Sequence, residues 1–567
     1  MYDTETTALL PTHSQSYKHP SVERSGRVCE MGKADHDVEG RRVTAEIGGE
    51  AQIATVAETS MDFRTAIKLY PKAAAWSLFF SLGVIMTGFD PQIMGNLYGV
   101  PKFQEDFGYI FKGKWIISAA WQSGLRFVTG GIGPSSNTII DGRLAWEARL
   151  VKSWVLKRQV IQWSGLGGSR RSWFVGVTCV ILTAGCVFIQ FYARSLPVLL
   201  VGELLGGLIL GCYAVIAPAY ASEVCPVALR GVLTAYINLC FVIGQFIANG
   251  IAAATHGLDS HWAYSIPFSM QWIWPAIILS AIFFAPESPW WLVRKGRLDN
   301  AEMSLRRLAS PRVDVKATLA MIIETDRLEQ EMEAGTTYRD CFRKINLRRT
   351  EIAIGVYTIQ VFSGIYLIGF STYFFTLAGL STDNAFNMGI GFLGVGFVGT
   401  CLSWVLLSYV GRRTIYRNGL GVMAIILFII GILDCTPNYL DRPGVIWAQS
   451  SMMLVWNFTY NLSVGPICFV ILCECSATKV RSKTIAIATA IQAIFGIVMT
   501  VAIPHMINLD AGNMRGKLGF FFGGLSIICL LWTWFRVPET KGRTYEELDI
   551  MFERNVPTHQ FKDYKVI

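Results

Sequence analysis

Residues 196–231 read LPVLLVGELLGGLILGCYAVIAPAYASEVCPVALRG. From Leu196 to Ala217 the run is apolar except for one acid, Glu203. As a helix it is long enough to cross hydrocarbon, which takes about 20 residues. It ends in a polar knot, Glu223 with Pro226 and Arg230, and a second apolar run over 232–252 follows at once. A charge at the bilayer centre costs roughly 2.5–3.5 kcal/mol even on a lenient insertion scale, so Glu203 must face a cavity or a partner.

The same pattern extends outward in both directions. Apolar segments fall at 73–93, 115–130, 173–193, 196–217, 232–252 and 266–284, then at 352–376, 386–409, 414–433, 446–470, 485–505 and 518–535. They are too long and too continuously apolar for barrel strands, so the fold class is an all-alpha polytopic membrane protein with 12 transmembrane helices. The bulk composition agrees. Of 567 residues 52% are hydrophobic and only 16% charged, with 34 Phe and 17 Trp, whereas a soluble domain carries about 25% charge. Disorder and a disulfide scaffold are excluded for the chain as a whole.

The domain plan follows. Residues 1–70 read as a disordered cytoplasmic tail, with a short helix near Met61–Leu69. A six-helix bundle spans 71–284, a charged central loop 285–351, a second six-helix bundle 352–536, and a C-terminal tail 537–567. The net charge is +9, and it is concentrated on one set of connections: Arg230, the central loop, Arg412, Arg413 and Arg417, then Lys479, Arg481 and Lys483. By the positive-inside rule, both termini and that loop are expected in the cytoplasm of a multi-pass cell-membrane protein. The basic balance is therefore topology, and nucleic acid is not expected as a partner. Cys179, Cys186, Cys212, Cys240 and Cys401 sit in apolar stretches with no CxxC pair, so they read as packing; no metal and no cofactor are expected. No Ser-His-Asp arrangement or phosphate cradle emerges, which argues against an enzyme or an ATP-driven pump.

The two halves echo one another. Glu223 and Arg230, then Pro286-Glu287-Ser288-Pro289 with Arg297, correspond to Gly411-Arg412-Arg413, Glu474 with Arg481, then Pro538-Glu539-Thr540-Lys541-Gly542-Arg543. Acid and base recurring just past helix ends suit ion pairs that close the cytoplasmic side in one conformation and break in the other; interfacial anchoring is the plainer alternative.

These elements resemble the sugar porter family of the major facilitator superfamily, over roughly residues 70–125 and 170–555. Within it the chain is most similar to fungal maltose and general alpha-glucoside permeases. The resemblance is carried by Ala219–Pro226, by Asn238-Leu239-Cys240 with Ile243-Gly244-Gln245, by Pro289–Arg297, by Tyr373-Phe374-Phe375 and by Lys541–Asp549. It implies two six-helix bundles, alternating access around a central sugar site, and proton symport across a fungal plasma membrane. The implied function is proton-coupled uptake of alpha-glucosides such as maltose. The partners are a sugar, a proton and the lipid bilayer, and the working unit is a monomer. A hexose transporter, facilitative or proton-linked, and a transport-inactive relative or sugar sensor remain as alternatives.

A sugar needs paired hydrogen bonds and a flat apolar face, which Asn, Gln, Tyr and Trp supply. Gln122, Gln245, Asn249, Gln360, Tyr366, Tyr373, Trp456 and Asn457 lie inside the segments. The resemblance places Gln245 and Gln360 at sugar-contacting positions; the alternative for each of the eight is a helix–helix hydrogen bond. Glu203 and Asp90 are the candidate proton carriers, because a carrier must cycle between charged and neutral forms; the alternative for Asp90, near the outer end of its segment, is a carboxylate in interfacial water.

Residues 126–169 break the pattern. The second segment begins like the family at Trp115–Leu125, Arg126 interrupts it, and the family's loop motif is missing until Gly168-Ser169-Arg170-Arg171. The change starts inside a crossing while its neighbours stay intact. That favours a mis-spliced or frame-shifted reading of the gene over a lineage-specific insertion. Ser265 and Met514-Arg515-Gly516-Lys517 are milder departures.

Overall fold

The computed structural model describes residues 61, 63–126, 171–333, 336–541, 543, 545–562 and 564. Its long helices are numbered here in chain order. The first half holds α1 (Pro71–Leu97), α2 (Ala119–Arg126), α3 (Arg171–Phe191), α4 (Leu196–Val224), α5 (Val227–Thr255) and α6 (Trp262–Ser269, continuing at Ile273–Ile282). The second holds α7 (Lys344–Phe362, resuming at Ser371–Leu377), α8 (Thr382–Tyr409), α9 (Arg412–Asp434), α10 (Pro443–Leu462, resuming at Val464–Cys475), α11 (Arg481–Ile507) and α12 (Leu518–Arg536). Eight of these are long and apolar enough to cross a membrane, and α3, α4 and α5 contribute shorter apolar stretches.

The second crossing differs from the expectation of 115–130. Trp115 belongs to a two-stranded hairpin, Tyr109–Phe111 paired with Lys114–Ile116, and helix begins only at Ala119. The turn residues Lys112 and Gly113 both have positive φ, as a two-residue hairpin turn requires. Apart from Arg126, the anomalous stretch 126–169 lies outside the described residues. The short helix expected near Met61–Leu69 is present as Phe63–Leu69, and it is packed rather than free: Ala66 and Tyr70 pack with Ala221, Val224 and Leu308. The central segment folds into helices Pro289–Arg294, Leu298–Leu308 and Val315–Glu333. It gives way to α7 at Lys344, eight residues before the expected boundary, because the C-terminal segment satisfies the two arginines there. Arg349 pairs with Asp549 at 2.5 Å, and Arg348 donates to the Val556 carbonyl at 3.0 Å.

Close packing of α1 and α5 depends on glycine. A Cβ at Gly88 would lie 2.2 Å from the Phe241 carbonyl oxygen, and one at Gly244 would lie 2.0 Å from that of Ile85. Small residues let membrane helices approach backbone to backbone, where van der Waals packing replaces the hydrophobic drive. The halves meet where α5 packs on α8, α2 on α11, and α1 on the middle of α7. Apolar side chains such as Ile181, Phe284, Val405, Ile425, Ile528 and Phe535 point outward, as a lipid-facing belt should.

Candidate functional site: a polar core between two helical halves

The break in α7 sets the middle of the molecule. Gly364 has φ +98°, a conformation costly for any side chain, and a 3-10 turn, Ile365–Phe370, follows before helix resumes. Irregular backbone at membrane depth is tolerated where it is buried in protein or lines a cavity. Gln360 sits one turn before the break. Its Nε2 donates to the Gly465 carbonyl at 3.0 Å, and its Oε1 accepts from Gln492 at 2.8 Å. Tyr366 lies within the turn, with its hydroxyl against Gly496. Trp456 packs against Gly364 and stacks on Tyr460 at 5.9 Å. The Trp456 Nε1 and Tyr460 hydroxyl are buried without a hydrogen-bond partner among the described residues. Gln245 is half-buried on α5 in the other half.

Two other candidates, Tyr373 and Asn457, are committed to holding helices together, and a third, Gln122, bonds within its own segment. The Tyr373 hydroxyl donates to Asn508 Oδ1 at 2.5 Å, and Asn508 in turn donates to the Ile117 carbonyl at 2.7 Å. Asn457 donates to the Phe392 carbonyl at 2.6 Å, joining α10 to α8. Gln122 Nε2 donates to Ile117 O at 3.0 Å, leaving its Oε1 unpaired among the described residues. Asn249 belongs to a cluster whose other members sequence reasoning missed. Gln92 and Asn96 of α1 donate to Asn249 Oδ1 at 3.0 and 2.6 Å, and Thr372 of α7 donates to Asn96 at 3.0 Å. All four are buried. The available signal was two amides four residues apart on an apolar helix, which share one face.

Asp90 and Glu203, far apart in sequence, come together. Both are fully buried, and each interacts electrostatically with the other and with Arg126. Gln271 Nε2 donates to Asp90 Oδ1 at 2.7 Å. Asp90 Oδ2 and both Glu203 oxygens have no hydrogen-bond partner among the described residues. Gln190 and Gln271, which complete this neighbourhood, were not singled out in the sequence. Arg126, the last described residue of α2, donates to the Pro91 carbonyl of α1 and lies over the Phe370 ring of α7 at 4.7 Å. Its guanidinium also fills the space beside Gly369, so it touches both halves next to the acid pair.

The motif residues near the central segment form clusters within each half. Glu223 lies 3.7 Å from Arg294 and accepts from Ser288 Oγ at 2.5 Å, while Arg294 also pairs with Asp326 at 2.9 Å. Arg294 and Asp326 were not among the candidates. In the second half Arg412 pairs with Glu474 at 3.3 Å, its backbone N–H donates to Glu539 at 2.8 Å, and Thr540 donates to Glu474 at 2.5 Å. A Cβ at Gly411 would lie 2.1 Å from Glu539 Oε2, so the carboxylate sits against bare backbone. Arg413 donates to the Trp534 carbonyl at 2.7 Å, and Arg543 to the Phe561, Lys562 and Tyr564 carbonyls. Glu287 lies just before the Pro289 helix, its carbonyl accepting from Ser304; Arg297 precedes the Leu298–Leu308 helix and Arg481 opens α11. The Arg230 side chain lies outside the described residues.

On the opposite face the halves are bonded to one another. Tyr109 donates to Asp510 at 2.8 Å, Asn508 reaches Ile117, and His256 meets Asp383 at 2.8 Å. The ion pairs on the central-segment face described above do not cross between halves. The two halves are thus bonded to one another on one face, around a polar core at the middle.

Comparison with known proteins gives the same answer. A maltose permease of Saccharomyces cerevisiae is 37% identical over 528 residues, covering 91% of this chain and 81% of that protein. The general alpha-glucoside permease of the same yeast is 34% identical over 544 residues, covering 94% and 84%. Among solved structures, the inward-open xylose transporter XylE from E. coli superposes with a TM-score of 0.62 at 20% identity, over 84% of this chain and 99% of that one. The fold is therefore that of this transporter, with two helical halves among the described residues. The family pattern described as "Sugar (and other) transporter" matches residues 163–552, and the chain belongs to that family.

Proposed function

We propose that the protein moves alpha-glucosides such as maltose into the cell together with a proton, by alternating access across the plasma membrane. The sugar is held at the α7 break by Gln360, Tyr366 and Trp456, with Gln245 facing from α5. Tyr373 and Asn457 act from one step back, by fixing α11 and α8. Asp90 and Glu203 exchange the proton. The observation that carries this reading is the buried carboxyl pair, whose open oxygens have no basic residue bonded to them among the described residues. Two neighbouring carboxyls cannot both ionise cheaply in such a place, so the pair can take up and release one proton as solvent access alternates. The names of the yeast relatives support the substrate class. The Arg- and Lys-rich central-segment face supports cytoplasmic termini, and the pairs around Glu223–Arg294 and Arg412–Glu474 act as the gate on that side.

The test is uptake of labelled maltose, with glucose in parallel, in yeast lacking its own transporters, with and without a protonophore. Wild type is expected to accumulate maltose uphill and to lose accumulation with the protonophore. Glu203→Gln is expected to exchange sugar without accumulating it. Normal accumulation by Glu203→Gln overturns the assignment of the carrier, and preference for glucose moves the substrate to hexoses.

A second reading rests on Arg126. Its guanidinium bridges α1 and α7 beside the acid pair, where a mobile interface is needed for alternation. On this reading the chain as written keeps the fold and does not transport. Absence of uptake in wild type, with uptake appearing in Arg126→Ser, selects it.

A further inference from the structure

We propose that His256 is a proton-operated latch joining the two halves on the face opposite the central segment. His256 caps the C-terminal end of α5, and Asp383 lies in the first turn of α8. The imidazole Nδ1 is 2.8 Å from the Ala253 carbonyl oxygen, and Nε2 is 2.8 Å from Asp383 Oδ1. A carbonyl oxygen can only accept. The Asp383 side chain is 83% exposed at a helix N-terminus, a setting for an ionised carboxylate, which also only accepts. A neutral imidazole carries one N–H and can satisfy one of these oxygens, leaving its other lone pair against the second. The imidazolium donates to both, so only the protonated ring satisfies the two oxygens together.

The surroundings complement that charge. The C-terminal end of α5 presents partial negative charge to the ring, and the N-terminal end of α8 presents partial positive charge to Asp383. Phe386 of α8 stacks on the imidazole at 4.5 Å with planes 19° apart, which fixes its orientation. The other charged groups lining the same open cleft are Asp259, from the loop after α5, and Lys102 and Glu105, from the helix Pro101–Phe107. Lys102 is already paired with Glu105 and Asp106 at 3.0 Å each, so its charge is matched within its own helix. Histidine is the residue whose ordinary charge change falls between pH 5 and 8. Acid on this face therefore holds the halves shut over the polar core, and alkali sets a lone pair against a carboxylate and loosens them.

The direction of the effect in a cell, with this face outside, rests on the transport reading above; the latch itself does not. It can be read in the purified full-length protein in lipid nanodiscs, without substrate. Spin labels on Ser260→Cys, in the first half, and on the exposed native Cys435, in the second, report the separation across this face; other accessible cysteines are replaced. Between pH 5 and pH 8 the ratio of near to far populations is expected to fall about fivefold, the upper end for an exposed ion pair. In His256→Gln and in Asp383→Asn the ratio is expected to stay level with pH. A level ratio in the parent protein, or a parental pH response in either variant, overturns the latch. A carrier that fails to move sugar still answers this experiment, so the two readings fail separately.

Discussion

Replacing Gly244 with alanine places one methyl group where there is no room for it. The added Cβ would lie 2.0 Å from the Ile85 carbonyl oxygen and 2.9 Å from the Phe89 nitrogen, both backbone atoms of α1. No rotamer change relieves that contact. A carbon–oxygen approach in helix packing is about 3.3–3.6 Å, so α1 and α5 must part by about 1.3 Å. In isolation, Gly→Ala in a helix gains about 1 kcal/mol. Overpacking costs about 1–3 kcal/mol, and a radial gap of 0.5–1 Å already forfeits about a quarter to a half of each contact along the seam. The net effect is destabilisation of about 1–2 kcal/mol. Gly250, on the same helix, is the matched control, because a Cβ there meets nothing within 4 Å. The assay is the half-life of folded, monodisperse protein in detergent at a fixed elevated temperature. Gly244→Ala should shorten it and Gly250→Ala should preserve or lengthen it. Equal half-lives for the two variants would refute the claim that backbone contact at this seam holds the first half together.

Other outcomes follow from single contacts. Gly364→Ala puts a side chain at φ +98°, at a cost of about 1–2 kcal/mol, and reshapes the α7 break; labelled-sugar binding should fall much further than thermal half-life. Asp340 accepts from the Thr337 backbone N–H and hydroxyl, both at 2.7 Å, and these bonds hold its carboxyl below the usual carboxylate range. A lowered folded-state value means the stabilisation is present above the ordinary aspartate range and is lost as pH falls through the lowered value. Pepsin cleavage near Phe342 should therefore rise on acidification in the parent relative to Asp340→Asn, which should be cleaved readily throughout; a constant ratio between the two rules this out.

Hydropathy alone marked the crossings because the bilayer imposes a local rule: about 20 apolar residues in a row, with every backbone group bonded within the helix. Glu203 and Asp90 stood out for the same reason, as acids in runs that exclude acids. The helix near Met61–Leu69 was likewise legible from local pattern. The early start of α7 was not, since its arginines are answered by Asp549 and Val556, some two hundred residues later.

What each polar side chain does was decided only by how the helices pack. Gln360, Tyr373 and Asn457 are of one kind in the sequence, and all three could have met sugar or helix. The packing gives Tyr373 to Asn508 and Asn457 to the Phe392 carbonyl, and leaves Trp456 Nε1 without a partner among the described residues, beside the α7 break. It brings Asp90 to Glu203, Asn96 to Asn249, and His256 to Asp383. A hydropathy run fixes where along its length a helix is buried, but its mean apolarity says nothing of azimuth. Which face meets which neighbour is settled by close approaches such as Gly88 on Phe241 and Gly244 on Ile85, between backbones more than 150 residues apart. Membership of the membrane is thus a property of each segment of sequence. The site belongs to the angles and registers at which those segments come to rest against one another.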